Sequence, residues 1–370
     1  MNSFLDEVAI RFILVVLYLF LSLFLYLICF VLIHRFLLNR WEAKIEQSQE
    51  RMMPYLYSYI DGEMKRKDFA SLLNNRFDIT ASFRDIRLMI DNLEGVQKKR
   101  LKSLLDIPAF KKFFIKSLRS TKKIDVAQAC IYFERKNITD KSVINRLKQL
   151  QHDSYSVISY SSTLALINTT DQQIRDEALN IFLQRKNNST MTVSDVIFEY
   201  YNSHPDKETA GNNLFGKIYD PSIPSDNSVP IVYLLPEFGL YDLANQLFEL
   251  FKTPVPHDNT GRLTASIIEV LSEFSTHDIS PLLKEKKLWA SHYQCVRLAV
   301  AKWMSDNYRP EFDDQLLLLA SDRDLEVRVA AQKALLHSKE ESRFERVLNP
   351  THLKEWNDIK RSEMAEVSYD

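Results

Sequence analysis

Asp324-Leu-Glu-Val327-Arg328-Val-Ala-Ala331-Gln-Lys-Ala334-Leu335 is the stretch on which the reading of the fold turns. Asp324 stands where a side chain can cap a helix start, and Val327, Ala331, Ala334 and Leu335 fall on one helical face. The small alanines let a neighbouring helix approach closely. The frame recurs as Asp171, Arg175, Ala178 and Ile181, and again as Asp258, Arg262, Ala265 and Ile268. A degenerate fourth copy, Val296-Arg297-Leu-Ala299-Val-Ala301-Lys302-Trp303, keeps the Val-Arg pair but has Tyr293 where the aspartate belongs. An Asp-x3-Arg-x2-Ala match arises by accident roughly once in ten chains of this length, so three copies point to a repeated unit.

Each copy follows another apolar helical stretch: 157–167 before Asp171, 240–251 before Asp258, 280–288 before Tyr293 and 311–319 before Asp324. The units therefore read as helix pairs. Arg262 to Arg297 to Arg328 steps by 35 and then 31 residues, within the range of stacked helical repeats. The 87 residues from Arg175 to Arg262 leave room for an irregular unit around 190–202 plus an insertion. That insertion, 204–230, holds Gly211, Gly216 and four prolines, and is expected to be a long loop.

The motif resembles the second helix of a HEAT or phycobilin-lyase-type HEAT-like repeat. The resemblance implies an all-α fold in which residues 151–350 form an α-solenoid of HEAT/ARM-like helix pairs. It also implies that Asp171, Arg175, Asp258, Arg262, Arg297, Asp324 and Arg328 are structural, forming a ladder between successive units. The second helices would then line the inner wall of a surface that holds a protein partner. Bacterial single-span HEAT-repeat proteins of this layout are associated with membrane glycosyltransferases that make and export polysaccharide. The chain is similar to them over its span and its repeats, which implies a scaffold or adaptor rather than an enzyme. The competing class is a lyase-like enzyme on the same scaffold, which would need a pocket with convergent polar groups.

The chain has 370 residues and only 6 glycines, few for the turns of an α/β nucleotide enzyme. From Phe12 to Ile33 Ser22 is the only clearly polar residue, and such a helix is roughly 33 Å long, enough to cross a bilayer. The run exceeds a signal-peptide core, and no small-residue cleavage site precedes His34-Arg35. Residues 1–11 are thus a short flank and 12–34 a transmembrane helix. Residues 35–150 form a helical connector or degenerate N-terminal repeats, with helices at 41–60, 69–73, 83–93, 98–105, 109–117, 124–134 and 141–151. Residues 351–370 form a terminal cap helix and tail. Arg35, Arg40 and Lys44 follow the span, against Asp6, Glu7 and Arg11 before it. By these few charges the N-terminus lies outside an inner or plasma membrane and the body in the cytoplasm, in preference to a periplasmic or luminal body.

The strongest surface lead is the block 98–123. Lys98, Lys99, Arg100, Lys102, Lys111, Lys112, Lys116, Arg119, Lys122 and Lys123 stand there beside Phe110, Phe113 and Phe114, in a chain whose net charge is −1. Such a patch suits anionic lipid headgroups or an acidic partner; alternatively it is a solvated face whose phenylalanines point into the core. With no overall positive charge, nucleic acid is a poor reading. After the span, Trp41, Ile45, Met52, Met53, Leu56 and Tyr59 have rough helical spacing, suited to a bilayer interface or a partner's transmembrane helices.

No catalytic, cofactor or metal site is expected. Gly211-Asn-Asn-Leu-Phe-Gly216-Lys217 fits seven positions of a phosphate-binding loop, but Ile218 stands where its Ser or Thr belongs and no strand leads in. Ser120-x-x-Lys123, Ser305-Asp306-Asn307 and Lys252-Thr253-Pro254 are out of order for a penicillin-binding enzyme. The eight histidines form no i,i+4 pair, and Cys29, Cys130 and Cys295 are far apart.

Overall fold

The computed structural model describes residues 2–136, 138–253, 258–274, 278–285, 288–336, 354 and 356–359. Side chains are described from residue 16 onward, except 38 and 285. Among these residues all regular structure is helical, with no strand. The chain divides into two compact units, Met1–Ala129 and Cys130–Asp370.

Unit 1 opens with α1 (Asn2–Asp61), one continuous helix of 60 residues. From Leu17 to Leu37 its large apolar side chains are exposed on every side. Beyond that point burial becomes one-sided, at Ile45, Ser48, Met52, Leu56 and Tyr59. This is the spacing of a helix with one face against a core. That face meets α2 (Arg66–Leu72), α3 (Arg76–Asn92) and α4 (Gly95–Leu104). The post-span stripe expected to lie on a membrane or a partner is therefore satisfied within the chain. Tyr59 Oη lies 2.7 Å from Ser103 Oγ, and Arg100 Nη1 donates to the Ile60 carbonyl at 2.9 Å. Asn75 caps α3 by accepting from the N–H groups of Phe77 and Asp78. Then follow α5 (Pro108–Ser117), with proline at its first position, and α6 (Lys123–Glu134), which carries the chain into unit 2.

Unit 2 holds α7 (Lys141–Leu150), α8 (Ser156–Ile167), α9 (Gln172–Leu183), α10 (Thr190–Ser203), α11 (Lys207–Lys217), α12 (Ser225–Glu237), α13 (Leu243–Phe251), α14 (Arg262–Phe274), α15 (Ser280–Glu285), α16 (Gln294–Asp306), α17 (Asp313–Leu319) and α18 (Leu325–Leu335). Every second helix packs on the next: α8 on α10, α10 on α12, α12 on α14, α14 on α16 and α16 on α18. Their first residues advance by 31 to 37 positions. Of the intervening helices, α9, α11 and α17 each pack on both members of this succession that flank them, and α13 packs on α14. Three of the motif copies lie in the succession, on α14, α16 and α18, but the Asp171 copy lies on α9, between two of its members.

Two boundaries differ from expectation. The compact units divide after Ala129 rather than near 150, because α7 packs on α8 and belongs with unit 2. The stretch 204–230 is not a loop: α11 and the first half of α12 occupy it, and α10 forms the unit at 190–202. Asp206 caps α11 by accepting from the N–H groups of Glu208 and Thr209. Pro224 sits just before α12, and Pro230 is buried inside it with Ile231, Val232 and Leu235. A mid-helix proline costs about 3 kcal/mol, and packing on α10 and α14 offsets it. Asn227 Nδ2 adds hydrogen bonds to the carbonyls of Leu183 and Arg185, at 2.7 and 2.8 Å. The supposed phosphate-loop glycines are thus helical. Gly211 faces Leu240, whose methyl carbons would stand 2.9 and 3.0 Å from an added Cβ, whereas nothing lies within 4 Å of one at Gly216. The expected cap helix and tail at 351–370 lie outside the described residues, apart from 354 and 356–359; within these Trp356 is buried.

Gly211→Val should lower the melting temperature of the detergent-solubilised chain, costing about 1–3 kcal/mol by overpacking. Gly216→Ala should be neutral or stabilise by up to about 1 kcal/mol. Equal melting shifts for the two would refute this account of the helix.

Candidate functional site

Three of the four motif arginines occupy the fourth position of their helices: Arg175 in α9, Arg297 in α16 and Arg328 in α18. From there the guanidinium folds back over the helix start to the loop before it. Arg297 Nη1 donates to the carbonyls of Ser291 at 2.8 Å and His292 at 3.0 Å. Arg328 Nη1 does the same to Asp322 at 2.9 Å and Arg323 at 3.0 Å. Arg175 reaches Thr170 at 3.4 Å and, with its other nitrogen, the Ser203 carbonyl at 2.9 Å. Carbonyls turning into a helix start need partners when buried, and a rigid five-donor fork supplies them. Arg262 is different, because α14 begins at Arg262 itself; its side chain is exposed, 3.6 Å from Asp226.

Among the described residues the expected Asp–Arg ladder includes a contact between successive motif helices, Arg297 Nη2 to Asp324 Oδ2 at 2.5 Å. Asp324 therefore gives its carboxylate to Arg297 and makes no side-chain cap on its own helix. Asp171 does cap, accepting the Ile174 N–H at 3.3 Å. Asp258 accepts the N–H and hydroxyl of Thr264, at 2.8 and 2.6 Å. Asp322, outside the motif, takes Arg297 in a two-pronged pair at 2.7 and 3.0 Å. Burial alone would raise the Asp322 carboxyl, but hydrogen bonds from Arg297 and the Asp324 N–H hold it below the ordinary range. An open hollow of about 420 Å³ beside this cluster is lined by Trp289, His292, Arg297 and Asp322 among others. Among the described residues no group of three or more His, Cys, Asp or Glu converges as a metal site.

The block 98–123 lies on α4, α5 and the start of α6. Phe110 and Phe114 are wholly in the core and Phe113 is half-buried against Phe114, so the rings do not interleave with the cations. Lys99, Arg100, Lys102, Lys111, Lys112, Lys116, Arg119, Lys122 and Lys123 are exposed and Lys98 half-exposed. Among the described residues Lys98, Lys99, Lys102, Lys111, Lys112, Lys116, Arg119 and Lys122 have no carboxylate at ion-pair distance. Met1–Ala129 carries 21 Lys and Arg against 14 Asp and Glu, while Cys130–Asp370 carries 27 against 35. A near-neutral chain is thus two oppositely charged units, which the total charge concealed.

Unit 2 has an acidic counterpart on α10 and α14. The Tyr160 hydroxyl donates to Asp195 at 3.4 Å and the Tyr233 hydroxyl to Glu269. Burial, with Asp195, Glu134 and Glu199 adding their charge, pushes the Tyr160 phenol up to about 12, so it stays a donor. Glu269, Glu273 and the Cys295 thiol likewise raise Tyr233 after burial. Phe198 on α10 is 53% exposed among these groups. Among the described residues Asp195, Glu199, Glu269 and Glu273 have no cationic partner at ion-pair distance. No repeated motif marks this face; Asp195 and Glu199 on α10 and Glu269 and Glu273 on α14 are each four residues apart, and the neighbouring helices α8 and α12 bring Tyr160 and Tyr233 against them.

Between α1 and α3, Asp78 and Asp85 are buried one above the other, paired with Arg51 and with Gln49 Nε2, the latter at 2.7 Å. Burial pushes Asp85 up to about 6, against the lowering influence of Arg84 and Gln49.

No protein-family model matches this chain, and no curated protein matches it.

Arg297→Met should destabilise unit 2 by about 2–4 kcal/mol in urea unfolding, since it strands two carboxylates. Because Asp322 is depressed, its contribution is present above pH ~4 and lost as the pH falls below that; the variant should lack this acid loss. Asp85 has the opposite sign: its neutral form is favoured, so its contribution is full below pH ~4 and lost as the pH rises through about 6. Asp85→Asn should remove that decline between pH ~4 and ~7 in thermal melts, and an unchanged profile would refute the assignment.

Proposed function

We propose that this chain is a membrane-anchored scaffold: α1 crosses a bilayer, and a HEAT-like solenoid presents a surface that holds a protein partner. The observation that carries the reading is the uninterrupted apolar surface of α1. Its most apolar window has a mean hydropathy of 2.9 and buries nothing within the chain. Leaving the apolar side chains of Leu17 to Ile33 in water would cost on the order of tens of kcal/mol, at about 1.5–3 kcal/mol per large side chain fully transferred. The apolar run Phe12 to Ile33, roughly 33 Å as a helix, fits a hydrocarbon core. Arg35, Arg40 and Lys44 after the span, against Arg11 before it, support a cytoplasmic body. The solenoid reading is supported by the succession α8 to α18, with its advance of 31 to 37 residues and the arginines of α16 and α18 in the fourth helical position.

Holding a partner is favoured over chemistry because the uncompensated groups lie on exposed faces rather than in an enclosed pocket. By its resemblance over span and repeats, the partner class is another membrane protein, such as a glycosyltransferase or polysaccharide-export component.

The full chain should sediment with membranes and need detergent for extraction, whereas deletion of residues 1–37 should leave a soluble protein of unchanged helical content by circular dichroism. Recovery of the full chain in the soluble fraction would sink the anchor. Co-purification from native membranes that yields no other membrane protein would count against the partner class.

A further inference from the structure

We infer that the cationic face of unit 1 docks on the acidic, aromatic face of unit 2 in a second copy of this chain. Two observations meet here. Eight cations at Lys98, Lys99, Lys102, Lys111, Lys112, Lys116, Arg119 and Lys122 have no ion-pair partner among the described residues. Four carboxylates on unit 2, Asp195, Glu199, Glu269 and Glu273, are equally without cations; two of them accept only from phenol hydroxyls. Like charges gathered on one face repel one another, and a partner of opposite sign relieves that repulsion. Phe198 and Tyr233, with the half-buried Tyr160, give the acidic face the rings that charge alone lacks. Rings and carboxylates together suit the stems and heads of lysines.

The other polyanions fit less well. In the anchored reading the bilayer surface lies near Leu37, while Arg100 is bonded at Ile60, 23 residues further along α1. That is roughly 35 Å on a continuous helix, several times the ~8 Å screening length of physiological salt. The start of α4 is therefore out of reach of the headgroups of the membrane that α1 crosses; α5, whose Phe114 packs on Phe83 beside the Gln49–Asp85 pair, stands about 20 Å along α1, still more than two screening lengths away. Stacking on nucleic-acid bases is also missing from the block, since Phe110 and Phe114 are in the core. A contact between two different patches is heterologous, so it builds rings or chains rather than a closed two-fold pair.

The inference rests on the anchored reading for the argument against lipid and for the use of detergent; failure of association would leave the extraction test above standing. The mass of the full chain in neutral detergent, corrected for bound detergent, is measured by light scattering at about 50 mM and about 500 mM salt. The wild type should exceed twice the monomer mass at low salt and fall toward the monomer at high salt. Lys111→Glu with Lys112→Glu and Lys116→Glu should weaken association about tenfold or more, as should Asp195→Lys with Glu199→Lys and Glu273→Lys. Mixing the two triple variants should restore it, because each then offers the face the other has lost. A monomer at both salt concentrations overturns the inference, as does association that either triple leaves intact. Failure of the mixture to recover, with both variants melting like the wild type, also overturns it. So does a monomeric wild type that floats with anionic vesicles when the lysine triple does not, which would assign the face to lipid.

Discussion

Between Leu37 and Ile45 one unbroken helix changes its surroundings, and the construction of unit 1 depends on that change. Along the apolar run the hydrogen-bond ladder of α1 satisfies its own backbone, Pro54 removing one bond only further on, so there the side chains alone decide what surrounds it. From Leu17 to Ile33 they are apolar on every side and lie in no core. From Ile45 they are apolar along one stripe, and α2, α3 and α4 close over it. Arg100 on the Ile60 carbonyl and Tyr59 on Ser103 then fix the basic helix α4 to the end of the same rod. The position of α4 is thus set by the same helix whose earlier, apolar part lies in no core.

In unit 2 the comparable constraint is the satisfaction of loop carbonyls. Short turns between helices leave carbonyls pointing inward, and Arg175, Arg297 and Arg328 each place a guanidinium over them. This gives the repeated arginine a reason that does not depend on its aspartate. Where the aspartate is missing, before α16, the arginine still clamps its loop and finds carboxylates from the next one, Asp322 and Asp324. Where the helix begins late, at Arg262, the clamp is lost even though the sequence frame is intact.

Much of this was legible in the sequence. Helical periodicity marked nearly every helix of unit 1 and the α13 to α18 stretch, and the apolar run of α1 needed no structure to be seen. The failures have physical causes. Gly211, Gly216 and the prolines of 204–230 argued for a loop because local propensity disfavours helix there. Burial of Pro230, Ile231 and Val232, the Asp206 cap and the Asn227 hydrogen bonds outweighed that propensity. The phenylalanines of 98–123 could have faced either way, and only packing turned Phe110 and Phe114 inward. The acidic pairs of α10 and α14, each four residues apart on its helix, belong to no repeated motif, and only packing brings Tyr160 and Tyr233 against them, while total charge hid the opposite signs of the two units.

The continuity of α1 also makes it a lever. If its apolar part answers to bilayer thickness by leaning, as spanning helices do, a lean of about 20° moves Ile60 sideways by about 12 Å, carrying the basic helix with it. Lipid composition would then have a mechanical influence on where unit 1 stands, transmitted through a rod and without any headgroup being touched.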